Sequence, residues 1–187
     1  AQRVYVKVTN PNYVERTGSN TVTITAKPVS VTAENKEKVF GTADPGLTYT
    51  KGAGVGEEVV TLTGALARTA GESVGTYGIN QNTLALADNA ASGFKASNYV
   101  IAFTSGTLRI TPATGKALTV KEYEDVYDGA SHTVEIGTLL DDDVVYYSLT
   151  GGAEATDWST TPIKYTDVTA AQRVYVKVTN PNYVERT

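Results

Sequence analysis

Apolar and polar residues alternate with a period of two along most of the chain. In Arg3–Thr9 (RVYVKVT), Val4, Val6 and Val8 fall on one face, and Thr21–Thr25 (TVTIT) and Thr107–Thr111 (TLRIT) alternate in the same way. Successive side chains of an extended backbone point to opposite sides, so this period predicts half-buried β-strands. Further short strands are predicted over Val29–Ala33, Val59–Leu62, Val100–Phe103, Ala117–Val120 and Val144–Leu149. Turn-forming clusters separate them: Asn10-Pro11-Asn12, Thr17-Gly18-Ser19-Asn20, Asp44-Pro45-Gly46, Ser105-Gly106, Asp128-Gly129 and Gly151-Gly152. Thr83–Ser97 is the one stretch that offers room for a short helical turn. Many short strands with such turns between them predict an all-β fold, a sandwich or a barrel.

Two repeats overlie this pattern. Ala1–Thr17 reads AQRVYVKVTNPNYVERT, and Ala171–Thr187 reads the same without a change. Such identity points to a tandem repeat whose period is the distance from Ala1 to Ala171. A weaker echo lies inside it. Asn12-Tyr13-Val14 and Ile24 recur as Asn98-Tyr99-Val100 and Ile110, and the two displacements are equal (98 − 12 = 110 − 24). Asn182-Tyr183-Val184 starts the pattern again, at nearly the same distance beyond Asn98. The long repeat unit therefore reads as two diverged domains of about 85 residues each, an ordinary size for a small β domain.

The domain organisation follows. Residues 1–27 read as the closing strands of one domain type and residues 28–112 as one complete domain of the other. Residues 113–187 open the first type again but reach NYVERT without the GSNTVTITAKP that follows it near the N-terminus. That domain is expected to lack its last strand and to be completed by a segment equivalent to 18–28. Two readings stand: a window on a longer array, or a subunit that assembles head to tail by strand complementation. The longer array is the expectation, because a deliberate boundary falls more naturally in a linker such as Pro112–Gly115.

Composition narrows the function classes. The chain has 16 Lys and Arg against 20 Asp and Glu, a net charge of −4, which disfavours nucleic acid as a partner. No apolar run reaches the length of a membrane span, so no membrane insertion is expected. There is no cysteine, hence neither a disulfide framework nor a thiolate metal site.

Residues 28–112 resemble the MBG family of bacterial surface repeats. The resemblance is carried by VTAENKEKVFGTADPGLTY (Val31–Tyr49), GESVGTYGI (Gly71–Ile79) and NYVIAFTSGTLRITPA (Asn98–Ala113). The other domain resembles the related YDG-type repeats through VYDGASHTVEI (Val126–Ile136). These resemblances imply tandem small Ig-like β-sandwich domains set end to end in an extracellular protein of the bacterial cell surface. They imply no ligand, metal or catalytic residue.

Motifs with chemical potential have plainer readings. Gly71-Glu72-Ser73-Val74-Gly75 spells GxSxG, but the nucleophile elbow needs a helix after it and a histidine partner. Here Thr76–Ile79 reads as a strand, and the single histidine, His132, lies in the other domain. Gly52, Gly54 and Gly56 miss the dinucleotide spacing, with Glu57 where the third glycine is required, and Glu58–Thr61 reads as a strand. His132 has too few partners for zinc and is expected to be structural. Asp141-Asp142-Asp143 and the set Glu122, Glu124, Asp125 and Asp128 lack a calcium-loop spacing and read as solvated loops. Trp158, Tyr146, Tyr147 and Tyr165 suggest a sugar-stacking platform, although alternating aromatics in strands are more often packing. An intramolecular Lys–Asn amide link from Lys116 or Lys121 is conceivable, but nothing selects the trio it needs.

No catalytic, cofactor-binding or metal-binding residue is assigned, no cofactor is expected, and the chain is not expected to be an enzyme. The expected function is structural, a repeat of a surface adhesin, stalk or fibre that projects a functional tip. The alternatives are a repeat that itself binds a host glycan or matrix protein, and a subunit of a strand-complemented filament. The expected partners are neighbouring identical repeats or subunits, met through strand segments near 1–28 and 171–187.

Overall fold

The computed structural model describes residues 1–152 and 154–187. Among these, in chain order, the strands begin with β1 (Gln2–Asn10), β2 (Tyr13–Val22), β3 (Lys27–Ala33), β4 (Lys36–Val39), β5 (Tyr49–Lys51), β6 (Leu62–Thr63), β7 (Ala67–Arg68) and β8 (Gly75–Asn80). They continue with β9 (Ala85–Leu86), β10 (Tyr99–Thr104), β11 (Gly106–Thr111), β12 (Thr119–Lys121), β13 (Glu135–Gly137), β14 (Val144–Ser148), β15 (Tyr175–Asn180) and β16 (Tyr183–Arg186). The fold is all-β, as the two-residue period predicts. The helical turn expected within Thr83–Ser97 is reduced to a single 3-10 turn at its end, Ala96–Asn98.

The residues group into two compact units. The first comprises Ala1–Glu34, Leu47–Ala67 and Ile79–Gly106; the second comprises Asn35–Gly46, Arg68–Gly78 and Thr107–Thr187.

In the first unit β3 is the central strand of a sheet ordered β10-β3-β5. β10 runs parallel to it, from Tyr99 opposite Lys27 to Thr104 opposite Thr32. The alternation of β3 buries Val29, Val31 and Ala33 and leaves Ser30 and Thr32 exposed. Val29 and Val31 form a core with Val60, Leu84, Phe94 and Tyr99, in which the Phe94 and Tyr99 rings stack with centroids 4.8 Å apart. The Tyr99 hydroxyl finds polar partners at the edge of this core: it accepts from the Val55 amide at 2.8 Å and donates to the Glu58 carboxylate. The hairpin β1–β2 behaves differently, because every residue of both strands is exposed.

A second sheet is ordered β4-β11-β8-β7. β11 and β4 are parallel, from Leu108 opposite Lys36 to Thr111 opposite Val39, and Leu108 and Ile110 are fully buried. The second unit also contains the pair β12-β13 and the three-stranded sheet β14-β15-β16. Its core is built on Tyr147, Val176 and Val178, with Leu118, Val134, Ile136, Val145, Ile163 and Val174 packed around them.

Several expectations need correction. Thr17–Asn20 is not a turn: β2 runs straight through it, with Gly18 opposite Val6 and Asn20 opposite Val4. Thr23–Thr25 is not a strand, and neither is Glu58–Thr61. A strand is defined by a hydrogen-bonded neighbour, and alternation alone does not provide one. At Glu58 the Val55 carbonyl accepts the Glu58 amide at 3.1 Å, a turn around Gly56, whose φ is +59°. Val60 reaches the core from irregular backbone instead.

Candidate functional site

The polar residues with the most structural consequence gather around the hairpin β15–β16 and the segments of residues 35–46 and 68–78 that belong to the same unit. Asn180 begins the hairpin turn, and its side chain accepts the Asn182 amide at 2.9 Å, which shapes the turn locally. The next residues reach outward. The Asn182 side-chain oxygen accepts the Val74 amide at 2.9 Å. The Asn182 carbonyl accepts the Ala113 amide at 3.0 Å, and the Val184 amide returns a bond of 3.0 Å to the Ala113 carbonyl. The Tyr183 ring meets Phe40 edge-on, with centroids 5.4 Å apart at 75°. One turn therefore holds residues 40, 74 and 113 together within the second unit.

An ionic cluster supports the far side of this clamp. Lys38 is buried on β4, and its ammonium lies 2.6 Å from both Asp44 and Glu72. Arg68 bonds the same two carboxylates, with its Nε 2.6 Å from Asp44, and also donates to the Gly71 carbonyl at 2.6 Å. Hydrogen bonds from Arg68 and Lys38 hold the Asp44 carboxyl down at about 2, while Asp44 and Glu72 raise Lys38. Both partners are thus kept charged. Amide formation between a lysine and an acid needs the neutral amine, so this cluster is set up as a salt bridge and not as a covalent cross-link. Lys121, considered for such a link, instead lies 3.2 Å from Glu135.

The cluster also accounts for the GxSxG letters. Gly71 has φ +143°, and a Cβ there would come within 2.1 Å of the Tyr77 ring. Tyr77 in turn donates its hydroxyl to the Ser73 carbonyl at 2.7 Å. The segment is a tight turn leading into β8, with Glu72 as an ionic anchor and Val74 in the clamp.

A second buried network underlies the hairpin. Arg186 and Asp143 form an ion pair with almost fully buried side chains. Arg186 also donates to the Thr138 carbonyl at 3.1 Å. Asp143 accepts the Leu140 amide at 2.6 Å and the Asn180 side chain at 2.9 Å. Burial pushes the Asp143 carboxyl up, but the donors from Leu140, Arg186 and Asn180 outweigh it and leave it below the usual carboxylate range. The last member of the Asp141–Asp143 run is therefore a core anchor and not a solvated loop residue.

The other candidates are dispersed. His132 bridges Tyr165 through backbone bonds, lies 2.8 Å from Asp128, and stacks on Tyr123 with centroids 4.0 Å apart. Asp157 accepts the Ser148 and Thr150 hydroxyls at 2.6 Å, and these bonds lower its pKa. Tyr147 is buried. Lys177 covers the Trp158 ring at 4.7 Å and the Tyr146 ring at 5.6 Å, so these faces are already occupied by a cation. Among the described residues, no group of three or more His, Asp or Glu is placed to hold a metal ion.

Phe40, Lys38, Arg68 and Arg186 stand in no motif with chemical potential, and Asn182 and Asp143 stand out in the sequence only as a repeat residue and as a member of an acidic run. One signal was available for Arg186: in the hairpin register it stands opposite Val178, on the inward face.

Residues 29–109 match the family model described as MBG domain (YGX type). No curated protein and no solved structure matches the chain.

Proposed function

We infer, from the match of residues 29–109 to the family model described as MBG domain (YGX type), that the chain is a structural segment of a surface-exposed tandem array, a spacer that sets reach and stiffness. The observation that carries this reading is the hairpin clamp. A freely jointed string of domains needs nothing at its linkers. Here the Asn182–Tyr183 turn joins residues 40, 74 and 113 through three hydrogen bonds and an aromatic contact. The same turn sequence stands at Asn12-Tyr13, one repeat period earlier, so the clamp is available once per repeat. Contacts restricted to neighbours make the length of an array proportional to its copy number.

In this reading the protein is not an enzyme. It acts at the bacterial surface, and the repeat is not itself the adhesive part, since Lys177 occupies the aromatic faces that a sugar would stack on. Small-angle scattering on arrays of one, two and three repeat units tests it. The maximum dimension is expected to grow by a constant increment per unit, and Asn182→Ala with Tyr183→Ala is expected to reduce that increment. Dimensions that scale as a freely jointed chain, unchanged by the substitutions, would sink it.

A further inference from the structure

The strands nearest the two ends of residues 27–111 pair in parallel with partners that belong to the opposite end. β3, the first, runs beside β10, with Lys27 opposite Tyr99 and Thr32 opposite Thr104. β11, the last, runs beside β4, with Leu108 opposite Lys36 and Thr111 opposite Val39. The first register lies within the first unit and the second register within the second unit. The links along the chain are short: Glu34 and Asn35 join β3 to β4, and Ser105 alone joins β10 to β11.

These directions decide how the strands respond to tension along the chain. Tension enters β3 at Lys27, its first residue, while β10 is held beyond its last residue by Ser105. Tension leaves β11 at Thr111, its last residue, while β4 is held before its first residue by Glu34 and Asn35. Each parallel pair is therefore loaded from opposite ends. Its evenly spaced bonds share the load, and none opens before the others. The exposed hairpin β1–β2 responds in the other way. Gln2 stands opposite Val22, so a pull on its two ends acts on one pair at a time and the hairpin unzips.

We propose that residues 27–111 are a load-bearing module, in which the pairs β3–β10 and β4–β11 are the elements that resist stretching. The β4–β11 pair is reinforced beyond its ladder. Just before the first register pair, the Asn35 side-chain oxygen accepts the Thr107 amide at 2.9 Å and the Thr107 hydroxyl at 3.1 Å. Just after the last, the Thr111 carbonyl accepts the Phe40 amide at 2.8 Å, and the Thr111 hydroxyl donates to the Lys38 carbonyl at 3.2 Å. Arg109 and Glu37, opposite each other in the register, form an ion pair at 3.1 Å. Leu108 and Ile110 are fully buried, so a slip of β11 along β4 by one residue turns both out of the core. β4 is anchored in its turn, because the buried Lys38 ammonium holds Asp44 and Glu72. The source of the tension rests on the spacer reading: an array fixed at one end passes force from repeat to repeat, with residues 27–111 in series.

The test pulls the whole chain in two directions. The chain has no cysteine, so handles can be fixed at introduced thiols. Ala26, Ala43 and Thr114 are exposed and lie outside the core. In the Ala26→Cys, Thr114→Cys chain the handles load β4–β11 from opposite ends. In the Ala43→Cys, Thr114→Cys chain they load it from one end, where Val39 stands opposite Thr111. In optical tweezers at one constant force, unfolding between Ala26 and Thr114 lengthens the tether by about 25–30 nm, at ~3.3–3.6 Å per extended residue. Unfolding is expected to be slower by about a hundredfold in the first chain, since bonds worth about fivefold each give way together. Asn35→Ala is expected to speed unfolding by about fivefold or more in the first chain, the worth of a lost hydrogen bond. It is expected to leave the second chain unchanged, because unzipping starts at Thr111 and meets Asn35 last. A substitution that merely weakened the fold would speed both. Equal rates in the two directions, or equal acceleration by Asn35→Ala, overturn the proposal. Neither outcome touches the spacer reading, whose scattering dimensions do not depend on how the strands break.

Discussion

The same seventeen residues stand in two places and do two different things. At Ala171–Thr187 they form a hairpin packed on β14, with Val178 fully buried and Arg186 only 7% exposed. At Ala1–Thr17 they form a hairpin with no third strand, and Val8, the twin of Val178, is 62% exposed. Local sequence is sufficient for the pairing, since both copies place the turn at the same Asn-Pro-Asn and share the register irregularity just before it. Everything beyond pairing comes from neighbours. The clamp needs Val74 and Phe40, and the inward arginine needs Asp143.

The arginine twins give the largest expected contrast. Arg186→Ala leaves the Asp143 carboxylate buried without its cation, and breaking a buried pair from one side costs about 3–5 kcal/mol. Arg16→Ala removes an exposed side chain and is expected to change stability by less than about 0.5 kcal/mol. Urea unfolding of the two variants measures both, and equal effects would break the comparison. The pair also gives the second unit a dependence on pH. The folded Asp143 pKa lies below its free value of 3.8, so its contribution is present above that value and is lost as the pH falls through the folded one. Acid titration of near-ultraviolet circular dichroism is expected to show this loss from about pH 3.8 downward. Asp44, Asp128 and Asp157 are depressed as well and steepen the same limb. Asp143→Asn is expected to flatten it in part, and an unchanged slope would remove Asp143 from the account.

The valine twins should differ less. Val178→Ala removes two methyl groups from a closed core, about 2 kcal/mol with the cavity included. Val8→Ala is expected to stay within about 0.5 kcal/mol of the parent. Differential unfolding of the pair in one buffer isolates the effect of packing from that of local sequence.

These contrasts show where legibility ended. β3 and β11 were readable because Val29, Val31, Leu108 and Ile110 alternate and do find a covered face. Thr21–Thr25 alternates just as well, yet only Thr21 and Val22 are strand, because a period specifies which side chains share a face and not whether anything lies against it. Gly18 read as a turn, but glycine also tolerates an extended backbone, and β1 opposite holds it there. The clamp was half visible: Asn-Pro-Asn is a turn signal, but the outward reach of Asn182 to Val74 depends on residues 108 positions apart. Arg186 was hidden for a similar reason. It occupies an inward position that a valine could fill, and only the placement of Asp143 makes a charge tolerable there.

The smallest contrast concerns the lysine twins. Lys7 lies 2.7 Å from Glu15, with both side chains well exposed. An exposed pair of this kind is worth about 0–1 kcal/mol, and Lys7→Ala should fall near the lower end. Lys177 and Glu185 repeat the pair at 3.9 Å, a weaker ionic contact by distance alone. If ion pairing decided the matter, Lys177→Ala would matter less than Lys7→Ala. Lys177 also lies over Trp158 and Tyr146, however, and a cation on an aromatic face adds about 0.5–1 kcal/mol. The order is therefore expected to invert, with Lys177→Ala the more damaging. Raising the salt concentration should shrink the Lys7 effect and leave most of the Lys177 effect, since contact with the rings is screened less than an exposed charge pair. Equal salt sensitivity at the two sites would mean that the aromatic faces contribute nothing and that the two hairpins differ only in burial.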